Sequence, residues 1–190
     1  MGRRLTAGLV LAAGSGTRYG RPKALVEGPD GPWVVHAARI LAEGGCDSVS
    51  VTVAADAQGV LALLPRDVTA VSVPDVSQGM SASLQAGLAA VRRAGATQVA
   101  VTLVDLPDLT SDVVARLLTV APRSSTQILA RAAFDGVPGH PVLIGRDHFA
   151  GVGAAAVGDR GARDYLAAHK VTLVECGDLA TGQDVDRPTT

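Results

Sequence analysis

The sequence predicts a three-layer α/β/α domain around a mainly parallel sheet, and three observations carry that expectation. Short runs rich in Val, Ala and Leu alternate with longer segments whose apolar residues recur at helical spacing. The first such run, Leu5–Ala13, breaks directly into glycines, as a buried parallel strand does at its carboxyl end. Finally, no linker, repeat or low-complexity tract interrupts the 190 residues, so a single domain spanning 1–190 is expected.

Taken in order, Trp33–Glu43 sets Val34, Val35, Ala38, Leu41 and Ala42 on one helical face, and Gly44-Gly45 stops it. Ser48–Val53 reads as the second strand, Asp56–Leu64 as a short helix closed by Pro65, and Val68–Val73 as the third strand. Met80–Arg93 is a helix with Leu84, Leu88 and Val91 on one face and Arg92-Arg93 at its carboxyl end. Thr97–Val104 is a strand that runs into Asp105, and Ser111–Val120 is the next helix, with Asp108 as its expected N-terminal charge or cap. Thr126–Ala132 and Val142–Ile144 are further strands, "GDRGARDYLAAH" begins a helix, and Val171–Glu175 is the last strand. In sheets of this kind ligands bind beyond the carboxyl ends of the strands. The residues just past each strand therefore matter most.

Bulk composition excludes several function classes. Seventeen basic and eighteen acidic side chains leave a formal net charge of −1, without the basic excess of a nucleic-acid binder. One Trp, two Tyr and two Phe are too few for a base-stacking platform. Cys46 and Cys176 stand far apart with no CxxC or His-rich spacing, which argues against zinc and against a disulfide framework. "MGRRLTAGLVLAAG" begins like a signal peptide, but Gly8 interrupts the apolar stretch and no long hydrophobic region succeeds it. A cytoplasmic protein without membrane spans is the expectation.

The chemistry starts at "GSGTRYGRPK", residues 14–23. A dinucleotide fingerprint, G-x-G-x-x-G, would need glycine where Tyr19 stands, and a P-loop would need four residues between its glycines followed by Lys and Ser or Thr. What remains is Gly14, Gly16, Arg18, Gly20 and Lys23. Turned backbone N–H groups make an anion nest, Arg18 forks onto two phosphate oxygens, and Lys23 supplies a movable point charge. Two cations on one loop suit a triphosphate. A glycine-rich turn with solvated basic residues would carry the same letters.

"LVLAAGSGTRYGRPKAL" resembles the opening signature LAAGxGxRxGxxK of the nucleotidyltransferases that mature the molybdenum cofactor. "QGMSASLQAGL" (78–88), "VDLPDLT" (104–110), "GHPVLI" (139–144), "GDRGAR" (158–163) and "DVDRP" (184–188) occur in that family's order, so the resemblance spans nearly the whole chain. It implies a Rossmann-like nucleotidyltransferase fold and transfer of a nucleoside monophosphate from an NTP to a substrate phosphate with release of pyrophosphate. Leu11, Ala12, Ala13, Gly14, Gly16, Arg18 and Lys23 would then cradle the nucleotide, joined by Asp75, Ser81 and Ser83. Plainer roles exist for the last three: a loop aspartate and helix N-caps.

Asp105, at a strand's carboxyl end in a DxP setting, is the leading Mg²⁺ ligand; a turn aspartate before Pro107 is the alternative. In the relatives the terminal D-x-D-x-P returns to the site, which makes Asp186 a second ligand; a frayed acidic tail is the alternative. Arg18, Lys23 and Asp105 form the expected catalytic set. His140 and Arg163, with Arg160 beside it, would approach the acceptor, although a turn histidine and solvated arginines would look the same.

"LAAG" and "GMSASL" resemble the cytidylyl branch, which implies CTP as donor, the phosphate of a molybdopterin-type cofactor as acceptor, and transient docking on a molybdoenzyme. A guanylyltransferase, a sugar- or alcohol-phosphate nucleotidyltransferase, a non-catalytic cofactor carrier and a Rossmann oxidoreductase stand as rivals.

Overall fold

The computed structural model describes residues 5–14, 16 and 19–187. Arg18, one of the expected catalytic residues, lies outside the described residues, as does Pro188. The chain opens with strand β1 (Thr6–Leu11), a short hairpin of β2 (Glu27–Gly28) and β3 (Gly31–Pro32), and helix α1 (Trp33–Glu43). It continues through β4 (Ser48–Ala54), α2 (Gln58–Leu63), β5 (Val68–Val73), α3 (Met80–Arg93), β6 (Gln98–Leu103) and α4 (Ser111–Leu118). The remainder is β7 (Leu129–Phe134), β8 (Val137–Gly145), α5 (Phe149–Ala155), α6 (Arg163–Ala167) and β9 (Thr172–Glu175).

Among the described residues, seven strands form one sheet in the order β5-β4-β1-β6-β8-β7-β9. β5, β4, β1 and β6 pair in parallel; β8 runs against both β6 and β7, and β9 pairs parallel to β7. The side chains of β1 show how the layers are filled. Val10 faces a cluster with Trp33, Val34 and Leu41 of α1 and Val114 and Leu117 of α4. Ala7, Leu9 and Leu11 face the other side, against Leu84, Leu88 and Val91 of α3 and Phe149 and Val152 of α5. Period-2 alternation within one buried strand thus feeds both helical layers. The α/β/α expectation holds.

Strand order reverses beside β1. The chain first moves outward through β4 and β5, then crosses back to lay β6 on the other flank of β1. The loops leaving β1 and β6 thus lie side by side at the carboxyl ends of neighbouring strands where the order reverses, the position at which open sheets bind ligands. The glycine loop succeeds β1 and Asp105 succeeds β6, so topology alone brings them together. No helix among the described residues is long and apolar enough to cross a membrane.

Several local expectations are corrected. Thr110, not Asp108, occupies the N-cap of α4. Asp108 turns the other way, and its Oδ2 accepts hydrogen bonds from the Thr181 N–H at 2.6 Å and the Thr181 hydroxyl at 2.5 Å. The strands expected at 126–132 and 142–144 are a hairpin turning at Asp135 and Gly136, with φ of 51° and 78°. Cys46 and Cys176 are both free thiols, as expected, and burial pushes the Cys46 thiol up to about 12.

Candidate active site

Beyond β1 the backbone enters Ala12 and Ala13, both buried, and then the exposed Gly14. The Ala12 N–H donates to the Thr52 hydroxyl at 3.2 Å, and that hydroxyl donates to the Val10 carbonyl at 3.3 Å. A fully buried residue of β4 therefore grips the start of the glycine loop. Further on, the N–H groups of Tyr19 and Gly20 both donate to the Gly16 carbonyl at 2.9 Å. Gly16 adopts φ +63°, and a Cβ there would lie 1.9 Å from the Arg21 carbonyl oxygen. Only glycine fits that turn. Tyr19, standing where a dinucleotide fold would need glycine, packs edge-on against Trp33 with ring centroids 5.7 Å apart.

This turn delivers Lys23 to the junction of three chain segments. Its Nζ donates to Asp105 Oδ2 and to Asp186 Oδ1, each at 2.7 Å. Burial works against the ammonium, but the hydrogen bonds and the attraction of both carboxylates outweigh it and hold its pKa above the ordinary lysine value. The side chains of Lys23 and Asp105 are 14% and 16% exposed, so solvent screens that pair less than a surface ion pair. Asp186 is more open, at 54%. The C-terminal segment thus returns to the site and is not a frayed tail.

A third carboxylate belongs to the same junction. Oxygens of Asp105, Asp184 and Asp186 lie within 4.8 Å of one another. Sequence reasoning missed Asp184, although its signal is present: in an extended chain residues two apart share a side, and Val185 between them turns inward onto the core. The Val185 N–H donates to the Asp105 carbonyl at 3.0 Å, fixing the segment's register.

Two cavities flank this junction. One, of about 460 Å³, is lined by Ala12, Ala13, Gly14, Leu25, Asp56 and Val76. The other, of about 320 Å³, is reached by Leu11, Arg131, His140, Arg163 and Asp184. Sequence reasoning also missed Arg131, which carries no motif; its Nε and Nη2 donate to the Gly139 carbonyl at 3.1 and 3.0 Å. Burial, and then nearby Arg163, press its pKa down.

The remaining expected residues have defined surroundings. Asp75 accepts from the Ser77 N–H and hydroxyl and from Gln78 Nε2, contacts that hold its carboxyl below the usual range. That is the loop-building role open to it from the sequence, and Asp75 lines neither cavity. Ser81 and Ser83 are both buried in the first turn of α3, and neither caps it. The Ser81 hydroxyl donates to the Gln78 carbonyl, while Asp159 accepts from the Met80 N–H at the helix start. Arg160 pairs with Asp164 one turn on.

His140 is pushed down to about 4, by burial first and by Arg131, against the opposing effects of its Val101 hydrogen bond and of Asp105. The ring is therefore neutral at pH 7, with Nδ1 donating to the Val101 carbonyl at 3.3 Å. The unfolded chain takes up this proton near 6.5 and the folded chain only near 4. His140 accordingly subtracts stability as pH falls from 6.5 towards 4, and has no such effect above that window. Chemical denaturation at pH 7 and pH 5 is expected to show this loss, and His140→Gln to reduce it.

Comparison with known proteins identifies the family. Residues 8–173 match the MobA-like NTP transferase domain. The nicotine blue oxidoreductase of Paenarthrobacter nicotinovorans is 36% identical over 187 residues, covering 94% of this chain and 91% of that protein. The crystal structure of a homolog of Mycobacterium tuberculosis Rv0371c from Mycobacterium sp. strain JC1 superposes with a TM-score of 0.83 at 29% identity, covering 97% of this chain and 92% of the other. Rv0371c of M. tuberculosis H37Rv itself, solved in complex with manganese, gives a TM-score of 0.75 at 25% identity over 95% and 94% of the two chains. The chain belongs to the MobA-like NTP transferase domain family.

Proposed function

We propose that the protein transfers a nucleoside monophosphate, CMP from CTP, onto the phosphate of a molybdopterin-type acceptor. The observation that carries this reading is the Lys23 junction, where a glycine loop, a strand-end aspartate and a returning acidic segment meet between two cavities. In the reaction an acceptor phosphate oxygen attacks the α-phosphorus, the bond from that phosphorus to the bridging oxygen of the β-phosphate breaks, and pyrophosphate leaves. Little side-chain covalent chemistry is needed, and catalysis rests on positioning and charge.

Asp105, Asp184 and Asp186 form an all-oxygen anionic donor set, which fits a hard divalent cation such as Mg²⁺ or Mn²⁺. Such an ion, when bound, offsets phosphate charge and stabilises the leaving pyrophosphate. Lys23 adds a fixed cation at the same place, and Arg18 belongs to the same loop. The cavity beside Ala12 and Ala13 takes the base. Its Asp56 carboxylate suits an exocyclic amine, which CTP carries and UTP does not. Arg131 and Arg163 give the other cavity the charge to hold an acceptor phosphate, with neutral His140 beside them. Docking on a client molybdoenzyme would deliver the product.

A second reading, reduction of a substrate by a bound hydride donor, is favoured by the identity to nicotine blue oxidoreductase. One panel separates the two. CTP, GTP, ATP and UTP are each offered with molybdenum cofactor and Mg²⁺ or Mn²⁺ while pyrophosphate is measured, and NADH and NADPH oxidation is monitored in parallel. CTP-dependent pyrophosphate release is expected. Turnover only with a sugar or alcohol phosphate would replace the acceptor, and NAD(P)H oxidation without pyrophosphate release would replace the reaction.

A further inference from the structure

The loop between β6 and α4 contributes more to the junction than Asp105. Its Asp105 side chain is one of the three carboxylates, and its Asp105 carbonyl holds Val185 between the other two. Three residues later, Asp108 Oδ2 takes both the N–H and the hydroxyl of Thr181, just before Asp184 in the chain. We propose that Asp108 is a positioning residue: through Thr181 it registers the 181–187 segment so that Asp184 and Asp186 reach Lys23 and Asp105. The inference rests on the reading of this junction as a divalent-cation site.

Two features favour a functional role over simple packing. Asp108 Oδ1 is buried and has no hydrogen-bond partner among the described residues. A half-satisfied buried carboxylate costs stability, so core packing alone would favour a neutral residue there. In addition, residues 181–186 form no regular secondary structure, so side-chain and backbone anchors must set their path. Gly182 crosses Phe134 so closely that a Cβ would fall 2.2 Å from the ring, which makes the passage intolerant of slippage. Upstream, Arg116 grips Asp178 with both guanidinium nitrogens, at 2.5 and 2.8 Å, but that anchor lies six residues before Asp184. Thr181 is the anchor that governs the last turn of chain before the carboxylates.

The test uses the full chain, with Asp108→Ala, Thr181→Val, Thr181→Ser and Asp105→Ala. Amide hydrogen exchange reports on Thr181 and Val185, and uptake of Mn²⁺, the probe ion, is measured by loss of the free-ion electron paramagnetic resonance signal. Asp108→Ala is expected to speed exchange at Thr181 and Val185, leave β1 and β6 protected, and weaken Mn²⁺ binding about 10-fold, the scale of losing an outer partner of a metal ligand. Thr181→Val weakens binding in the same direction, whereas Thr181→Ser, which keeps the hydroxyl, restores wild-type behaviour.

Wild-type exchange at Thr181 and Val185 in Asp108→Ala, or unchanged Mn²⁺ affinity with the segment released, would overturn the proposal. Should Asp108→Ala lose protection throughout the sheet, the Thr181→Val and Thr181→Ser pair decides on the same readouts. A wild type that takes up Mn²⁺ no better than Asp105→Ala overturns the cation-site reading instead, and loss of protection at 181 and 185 then still identifies Asp108 as the registering residue.

Discussion

Asp105→Asn is expected to cut pyrophosphate release by about 10²- to 10³-fold, the scale of removing one preorganised electrostatic group from a transition state. The substitution keeps volume and leaves the backbone carbonyl that holds Val185. It removes one of the two charges that pair with Lys23 and one of three clustered anionic oxygens. Lys23 retains Asp186, so the thermal midpoint should move by only a few degrees while turnover collapses. Steady-state kinetics alongside a melting curve measures both. Activity within threefold of wild type would remove Asp105 from the mechanism.

Gly16→Ala should be nearly as damaging for a different reason. The methyl would sit 1.9 Å from the Arg21 carbonyl and 3.2 Å from the Lys23 amide, at a φ of +63° that L side chains rarely adopt. Strained backbone of this type costs about 1–3 kcal/mol before the collision is counted. The partner atoms are backbone, so the loop has to take another path, and Lys23 shifts with it. A displacement of ~1 Å at a reacting centre is enough for about 10²-fold in rate. Loss of kcat/KM for the nucleotide on that scale, with the sheet still folded by circular dichroism, is the expected result. Gly14→Ala provides the contrast in stability, because its methyl meets nothing within 4 Å.

Local pattern makes much of this fold legible. α1 and α3 begin and end where helical periodicity and the glycines after them place them, because both signals lie within a few residues of each helix. The β7–β8 hairpin is harder to see. Pro138, Gly139 and Pro141 read as strand breakers, although Asp135-Gly136 is a strong hairpin turn signal, and the parallel rhythm of the preceding strands masks an antiparallel pair. Spacing ties Asp108 to the helix beside it because spacing sees only neighbours, whereas its partner Thr181 is 73 residues away. The Lys23 junction joins residues 82 and 163 positions apart. No local pattern encodes such pairs, and only the family's motif order points to them. Asp184 is the one legible omission, since a D-x-D in extended chain puts both carboxylates on one side.

The Thr52 hydroxyl has a consequence for how the substrate arrives. It ties the end of β1 to β4, and the residues just beyond those two strands, Ala12 and Ala13 on one side and Asp56 on the other, line the same base-sized cavity. Both walls therefore belong to one rigid body built into the sheet. On the proposed function, recognition of a base here would draw little on binding energy to order the protein, because that order was established when the sheet formed.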